Sequence, residues 1–133
     1  MSNNKNATTA RILLVDDEPD ITFALSIGLE DNGFVVNAFN DPLLALQSFK
    51  DKKEESFALA LIDIKMPKMN GFELYNEIRK IDDKVPVCFI TAFDIEKQDV
   101  ECLIRKPIVI GDLVKRVRAK IQGQIDDKIG TGF

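Results

Sequence analysis

The sequence predicts a doubly wound α/β fold, in which a five-stranded parallel sheet carries helices on both faces. Short apolar runs alternate with longer segments whose apolar residues recur at helical spacing, as expected of βαβ units. The 133 residues are enough for one domain with one substantial core. A hydrophobic fraction of 45% and a charged fraction of 30% are typical of a globular protein.

Five short apolar runs are the predicted strands. They are residues 11–15, 34–39, 57–62, 85–90 and 102–104. The run at 57–62 has no polar alternation, which indicates a strand buried on both faces. Pro86 lacks a backbone N–H and therefore fits best near the start of its strand.

Four segments with helical periodicity separate or follow these strands. Pro19 suits the first turn of the first helix, and Gly33 lies just past its end. Asp41 is the expected N-cap of the second helix, with Pro42 in the first helical position. The apolar stripes of the last two helices are Leu74, Ile78 and Ile81, and then Leu113, Val117 and Ile121. We expect one domain over residues 11–122, flanked by disordered tails at 1–10 and 123–133.

Composition excludes several classes of protein. The sequence has no apolar stretch of membrane-spanning length and no signal-peptide core, so we expect no membrane insertion and a cytoplasmic location. A net charge of −4 argues against a nucleic-acid partner. Without histidine, the chain cannot form a histidine zinc site or a Ser-His or Cys-His nucleophile pair. Cys88 and Cys102 lie in apolar contexts and are expected to be buried, reduced thiols.

Polar or reactive residues follow four of the predicted strands. They are Asp16 and Asp17, Asp63, Thr91, and Lys106. Since the carboxyl ends of parallel strands meet at one edge of the sheet, these side chains should share a cleft. Crowded carboxylates need a proton or a cation between them, and an oxygen-rich site suits Mg²⁺. A carboxylate can also attack phosphorus, with Mg²⁺ and Lys106 neutralising charge. Taken singly, each residue could instead be a helix cap, a turn residue or a solvated side chain.

These residues stand in motifs that resemble the receiver domains of two-component response regulators. The matching segments are residues 13–19, 62–71, 90–92 and 106–107, and the resemblance covers roughly residues 10–122. It implies a flavodoxin-like sheet with the strand order 2-1-3-4-5. It also implies a signalling module rather than a classical enzyme, although such a module would catalyse its own Mg²⁺-dependent phosphorylation and dephosphorylation.

The resemblance assigns a role to each residue. Asp63 would be the phosphoacceptor for a histidine kinase or a histidine phosphotransfer protein. Mg²⁺, or Mn²⁺ in its place, would be held by Asp16, Asp17, Asp63 and the backbone carbonyl of Lys65. The phosphoryl group would be bound by Thr91, the Ala92 amide and Lys106. The Lys106–Pro107 peptide bond would be cis.

Two features depart from the family pattern. Lys106 follows Thr91 by 15 positions, about seven fewer than usual or about two helical turns. We therefore expect the family's fourth helix, which lies between the fourth and fifth strands, to be shortened or absent. Leu103 occupies the switch position, where many receivers carry Tyr or Phe, and leucine cannot act as the same aromatic switch.

Three functions remain as alternatives. The first is a stand-alone phosphoacceptor that signals to an unidentified downstream protein by contact or onward transfer, because only residues 123–133 follow the last predicted helix. The second is a receiver-fold interaction module that phosphorylation does not switch. The third, an aspartyl-phosphate hydrolase, is disfavoured because Lys65 stands where such enzymes have a second Asp. Lys65 and Phe93 are further candidates for slowing hydrolysis of the acyl phosphate.

Overall fold

The computed structural model describes residues 9–51, 56–93, 100 and 102–128, with side chains described up to residue 123. The strands are β1 (Arg11–Val15), β2 (Val35–Phe39), β3 (Leu59–Asp63), β4 (Val87–Thr91) and β5 (Leu103–Arg105). The helices are α1 (Pro19–Glu30), α2 (Pro42–Asp51), α3 (Gly71–Ile81) and α4 (Ile110–Lys128). None of the helices in these ranges has both the length and the apolar character needed to cross a membrane.

The five strands form one parallel sheet in the order β2-β1-β3-β4-β5, as predicted. All five residues of β3 are buried, which explains its unbroken apolar run. The register aligns the carboxyl ends of the central strands, since Val15 lies opposite Ile62 and Asp63 lies opposite Ile90. The residues that follow these strands therefore share one edge of the sheet.

The core consists of two clusters, one on each face of the sheet. Leu13, Val15, Ala60, Ile62 and Phe89 point toward α2 and α3. The residues between them point toward α1 and α4, and these are Ile12, Leu14, Leu61, Cys88 and Ile90. This division follows the two-residue period of a strand and confirms helices on both faces.

Local signals fix the helix termini. The Asp41 carboxylate accepts a hydrogen bond from the Leu43 N–H at 2.8 Å, so its predicted capping role is confirmed. Asn70 caps α3 in a capping box with Glu73, in which each side chain accepts from the other residue's backbone N–H. This cap fixes where the chain leaves the loop that follows Asp63.

The C-terminal helix is longer than predicted. Helix α4 continues to Lys128, through the first six residues of the segment 123–133 that was predicted to be a tail. Residues 1–8 and 129–133 lie outside the described residues. Residues 94–99 and 101 also lie outside them, and the prediction of a shortened or absent helix between β4 and β5 concerns these residues. The described residues of that crossover, Ala92, Phe93, Val100 and Cys102, are not helical.

The prediction of two reduced thiols is wrong, because Cys88 and Cys102 form a disulfide. They are 14 residues apart in sequence, but their Cα atoms are 4.6 Å apart, within the range that a disulfide can bridge. Phe89 pairs with Leu103 across neighbouring strands, so the two preceding residues are also neighbours. Both cysteines belong to the core cluster beneath α1 and α4. Their proximity is a consequence of strand register.

Candidate functional site

Three carboxylates meet at the carboxyl edge of the sheet. Asp16 and Asp17 follow β1, and Asp63 is the last residue of β3. One carboxylate oxygen from each lies within 4.8 Å of those from the other two. Asp16 is fully buried, Asp63 is 5% exposed and Asp17 is half-buried. The cluster predicted from strand ends is therefore present in the folded chain.

Hydrogen bonds fix the loop that carries Asp16. Its N–H donates to the carbonyl oxygen of Phe39, and its Oδ1 accepts from the Glu18 N–H at 2.9 Å. The Asn40 side-chain amide donates to the Asp16 carbonyl at 2.8 Å and to the Thr22 hydroxyl at 3.0 Å. The sequence analysis missed Asn40, although its position directly after β2 places it at the same edge.

Lys106 brings a positive charge into the cluster. Its Nζ atom lies 2.9 Å from Asp16 Oδ2, 3.1 Å from Glu18 Oε1 and 3.6 Å from Asp63 Oδ1. The Lys106 N–H donates to the Thr91 carbonyl at 2.8 Å, which extends the pairing of β4 and β5 by one residue. The peptide bond that follows is the predicted cis Lys106–Pro107 bond. The ion pair with Glu18 was not predicted.

Burial and neighbouring charges shift the pKa values of Asp63 and Lys106. Burial, followed by the neighbouring charge of Asp16, raises the pKa of Asp63 to about 7, although Lys106 opposes the shift. Burial alone would lower the pKa of Lys106, but the carboxylates of Asp16 and Glu18 outweigh burial and raise it above its ordinary value. The lysine is therefore a fixed cation, whereas Asp63 exchanges a proton near neutral pH in the absence of metal.

The donor set fits a divalent cation. Asp16 Oδ2 is buried and ion-paired to Lys106, but it has no hydrogen-bond partner among the described residues. The carboxylates of Asp16, Asp17 and Asp63 supply hard oxygen ligands, which Mg²⁺ prefers. A cation there would give this oxygen a second positive partner and favour ionised Asp63. The chain could add the Lys65 carbonyl, which follows β3 by two residues.

Thr91 ends β4 beside the carboxylates, and its side chain is buried. Its hydroxyl oxygen accepts a hydrogen bond from the Phe93 N–H at 2.9 Å. The next residue, Ala92, is exposed. The Phe93 ring is also exposed, and Lys65 Nζ lies 4.6 Å from its centroid in a cation–π contact. Lys65 and Phe93 therefore meet beside the site, as their positions after Asp63 and Thr91 suggested.

Gly71 holds the first turn of α3 against the backbone of Asp63. Its N–H donates to the Ile64 carbonyl at 2.7 Å. A Cβ atom at residue 71 would collide with the Asp63 carbonyl oxygen and lie 2.9 Å from Ile64 Cα. Because both obstacles are backbone atoms, only glycine fits without displacement. The glycine thus sets the position of the Asp63 backbone.

Leu103, at the predicted switch position, is half-buried. It packs against the core cluster beneath α2 and α3. This is the face of the sheet opposite Cys88 and Ile104. The side chain therefore already points toward the interior.

A parallel 2-1-3-4-5 sheet with an acidic cluster and a lysine at its carboxyl edge has the architecture of a receiver domain, and comparison with known proteins agrees. The family model for the response regulator receiver domain matches residues 12–118. The chain belongs to this family, whose members are signalling modules of two-component systems.

Curated relatives include longer regulatory proteins. A transcriptional regulatory protein CpxR homolog from Haemophilus influenzae is 40% identical over 118 residues, which cover 83% of this chain and 49% of the relative. The transcriptional regulatory protein PrrA of Mycobacterium bovis is 33% identical over 122 residues, covering 86% of this chain and 51% of PrrA. The chain thus spans about half the length of these relatives.

Solved structures show the same fold. A CheY-like receiver domain protein from Methanospirillum hungatei has a TM-score of 0.82 and 27% identity, covering 90% of this chain and 99% of that one. The response regulator TrrA from Thermotoga maritima, in complex with Mg(2+)-BeF, has a TM-score of 0.76 and 27% identity. That comparison covers 84% of this chain and 99% of TrrA.

Proposed function

We propose that this chain is a phosphoacceptor of a two-component phosphorelay. It accepts a phosphoryl group on Asp63 from a histidine kinase or a histidine phosphotransfer protein. It then signals by contact with a downstream protein or by onward transfer. The site lacks histidine because the chain has none, so the phosphohistidine must belong to the partner. A cytoplasmic location is part of this proposal.

The observation that carries the proposal is the position of Lys106 beside Asp16 and Asp63 of the carboxylate cluster. Asp63 has an oxygen close to those of Asp16 and Asp17, with an ammonium 3.6 Å away. In this arrangement a nucleophilic carboxylate lies beside groups that neutralise the charge of an incoming phosphoryl group. Phosphoryl transfer depends mainly on such positioning and neutralisation.

Each side chain has a distinct task in this proposal. Asp63 attacks phosphorus, and its bond to the donor's phosphoryl group forms as the bond to the donor imidazole nitrogen breaks. Lys106 holds one phosphoryl oxygen, and the Thr91 hydroxyl with the Ala92 N–H holds another. Asp16, Asp17, Asp63 and the Lys65 carbonyl are the proposed ligands of Mg²⁺, with Mn²⁺ as a substitute. Bound Mg²⁺ supplies charge neutralisation and keeps Asp63 ionised.

Intact-mass measurement after incubation with Mg²⁺ and a phosphoramidate or acyl-phosphate donor tests the assignment. We expect one added phosphoryl group on wild type and none on Asp63→Asn. Asp83→Asn, an equivalent change at an exposed carboxylate, is the matched control and should be labelled like wild type. Equal labelling of Asp63→Asn and wild type would refute the role of Asp63.

The metal assignment has a separate test in thermal unfolding. Mg²⁺ binds the folded cluster and should raise the melting temperature of wild type. Asp17→Ala removes one proposed ligand and should lose most of that increment. If Asp17→Ala gains the same increment as wild type, the metal lies elsewhere.

A second candidate is a receiver-fold interaction module that phosphate does not switch. Leu103 favours it, because leucine at the switch position is already packed inward and has no aromatic ring to reorient. Under this alternative, labelling of Asp63 would leave the amide spectrum of β5 and α4 unchanged. Under the first proposal, labelling shifts those amides.

A further inference from the structure

The Cys88–Cys102 disulfide lies at one end of the strand pair whose other end forms part of the site. Cys88 is in β4, and Cys102 directly precedes β5. The Phe89 N–H donates to the Cys102 carbonyl at 2.9 Å, where the pairing begins. The pairing ends where the Lys106 N–H donates to the Thr91 carbonyl at 2.8 Å. One short ladder therefore connects the disulfide to Lys106.

β5 is the strand most dependent on such a link. It has three residues and lies at the edge of the sheet, so hydrogen bonds from only one neighbouring strand hold it. Short edge elements open more readily than central strands. The same strand leads directly into Lys106, whose ammonium must stay among the carboxylates. A covalent bond at the start of β5 limits that opening.

A cation lies beside one of the two sulfurs. Arg116 Nη2, from α4, is 3.6 Å from Cys102 Sγ and donates to the Leu103 carbonyl at 3.1 Å. A guanidinium next to sulfur favours the thiolate, which is the form that reacts in thiol–disulfide exchange. Both cysteines are buried, with Cys88 0% and Cys102 3% exposed, but Cys102 lies where the edge strand begins. Cys102 is therefore the sulfur that an external thiol reaches when β5 opens.

We propose that Cys88 and Cys102 are a reversible dithiol–disulfide site that controls how firmly β5 holds Lys106. In the cytoplasm, the location proposed above, disulfides are usually transient and redox-sensing, which fits a signalling module better than a permanent crosslink. The effect of this site on phosphorylation rests on the function proposed above. Its effect on the stability of β5 is independent of that function.

The reducing agent is a dithiol. Its thiolate attacks Cys102 Sγ, the disulfide bond breaks, and Cys88 leaves as a thiolate and takes up a proton. The second thiol of the reductant then attacks the mixed disulfide. The reductant closes into its own disulfide, and Cys102 leaves as a thiolate beside Arg116 and is protonated. Two electrons and two protons pass from the reductant to the protein, and oxidation reverses each step.

Reduction removes the covalent link and leaves two thiols that must move apart to van der Waals distance. The core around them is close-packed, so the displacement is transmitted along β4 and β5. β5 is then held by its backbone ladder and by its packing on Val114 and Val117 of α4. Lys106 becomes less firmly positioned against Asp16 and Asp63.

The test compares the full chain, oxidised and after dithiothreitol, under native conditions. Once dithiothreitol is removed, the chain is unfolded and alkylated, and mass detection should count no thiol in the oxidised chain and two in the reduced chain. Reoxidation should restore zero. Hydrogen exchange at the Phe89 and Lys106 amides should be about tenfold faster after reduction. The double variant Cys88→Ala/Cys102→Ala should show the hydrogen-exchange rates of reduced wild type, and dithiothreitol should not change them.

Two further measurements test the chemistry and the connection to function. Arg116→Gln should slow alkylation of Cys102 in the reduced chain about threefold or more, since it removes the adjacent cation. Phosphorylation by a phosphoramidate donor should be about fivefold slower in reduced wild type, and the double variant should show no redox response. The comparison of oxidised with reduced wild type does not depend on whether any variant folds.

The outcomes separate this inference from the proposed function. Reduction only in denaturant, or equal exchange in both redox states, overturns the redox site. Equal phosphorylation rates in both states overturn the control of Lys106, even though Asp63 is a phosphoacceptor. A third outcome is that neither state is phosphorylated, while the thiols are still reduced and reoxidised reversibly and hydrogen exchange differs between the two states. That outcome supports the redox site and refutes the phosphoacceptor assignment.

Discussion

The ammonium of Lys106 lies closer to Asp16, at 2.9 Å, than to Asp63, at 3.6 Å. Asp16 has no exposed surface, so Lys106 is the main compensation for a fully buried carboxylate. Removing one partner of a buried ion pair leaves an uncompensated charge, which is far more destabilising than losing a surface pair. The lysine therefore has a structural role in the metal-free site in addition to its proposed role toward phosphate.

Lys106→Met should destabilise the metal-free protein by about 3 kcal/mol, because Asp16 stays buried without its cation. Saturating Mg²⁺ should recover most of that loss, since the metal compensates the same carboxylates. Urea unfolding with and without Mg²⁺ measures both effects. Lys84→Met removes an exposed lysine 4.0 Å from Asp83 and should change stability by less than about 0.5 kcal/mol. A similar loss in the two variants, or no recovery with Mg²⁺, would contradict the role of Lys106.

The contribution of Asp63 to the free energy of unfolding of the metal-free protein should fall as pH rises from about 4 to about 7. Folded Asp63 keeps its proton up to about pH 7, whereas the unfolded carboxyl loses it near 3.8. The folded state therefore binds more protons in this window, and raising the pH disfavours it. The contribution is fully lost above pH 7 and is on the order of 2 to 4 kcal/mol.

Urea unfolding of wild type and Asp63→Asn at pH 4.5 and 7.5 isolates this contribution. The variant cannot ionise at residue 63, so its stability should fall less between the two values. Mg²⁺ should reverse the wild-type loss at pH 7.5, because metal binding favours the ionised form. Parallel pH dependence in wild type and Asp63→Asn would show that Asp63 titrates normally.

Gly71→Ala should lower stability by about 2 kcal/mol and reduce phosphorylation of Asp63. The added Cβ meets the Asp63 carbonyl oxygen, and a rigid backbone cannot move aside without displacing the site. Gly111→Ala is the control, since a Cβ there has no neighbour within 4 Å and alanine is the better helix former. That change should be neutral or stabilising by up to about 1 kcal/mol. Equal effects of the two substitutions would mean that Gly71 imposes no positional constraint.

Phe93→Ala should accelerate loss of the phosphoryl group from Asp63 about fivefold. We expect the Lys65 ammonium, which lies on the Phe93 ring, to cover one side of the approach to Asp63. Such a cation–π contact is worth about 1 kcal/mol. The decay of the phosphorylated mass after removal of donor gives the rate. Phe23→Ala, at a ring that is 70% exposed on α1, should leave it unchanged. An identical half-life for Phe93→Ala and wild type would rule out shielding by this pair.

Much of the site could be predicted from the sequence, because parallel strands impose a simple rule. Residues that follow different strands meet at one edge, so the positions of Asp16, Asp63 and Lys106 in the chain were enough to predict a shared cluster. The alternation of strands and helices likewise predicted helices on both faces of the sheet, and the core has one cluster on each face. These inferences need only the period of a strand and the direction of the chain.

Contacts between loops could not be predicted in the same way. Glu18 binds Lys106 across 88 positions, and Asn40 supports the Asp16 loop across 24. Neither belongs to a periodic pattern, because a loop places its side chains through local hydrogen bonds rather than through a repeat. The extra length of α4 was missed for a related reason, since residues 123–128 continue the helix without a strong apolar stripe.

The sequence by itself determined the fold class, the sheet-edge cluster and the cis Lys106–Pro107 position, because strand polarity and specific motifs carry that information. Only the tertiary structure decided which cation faces which carboxylate and that Cys88 and Cys102 are bonded. The ion pairing of Lys106 and the disulfide both depend on distances of a few ångströms between side chains. Those distances depend on strand register and loop geometry, which arise when the whole sheet is assembled.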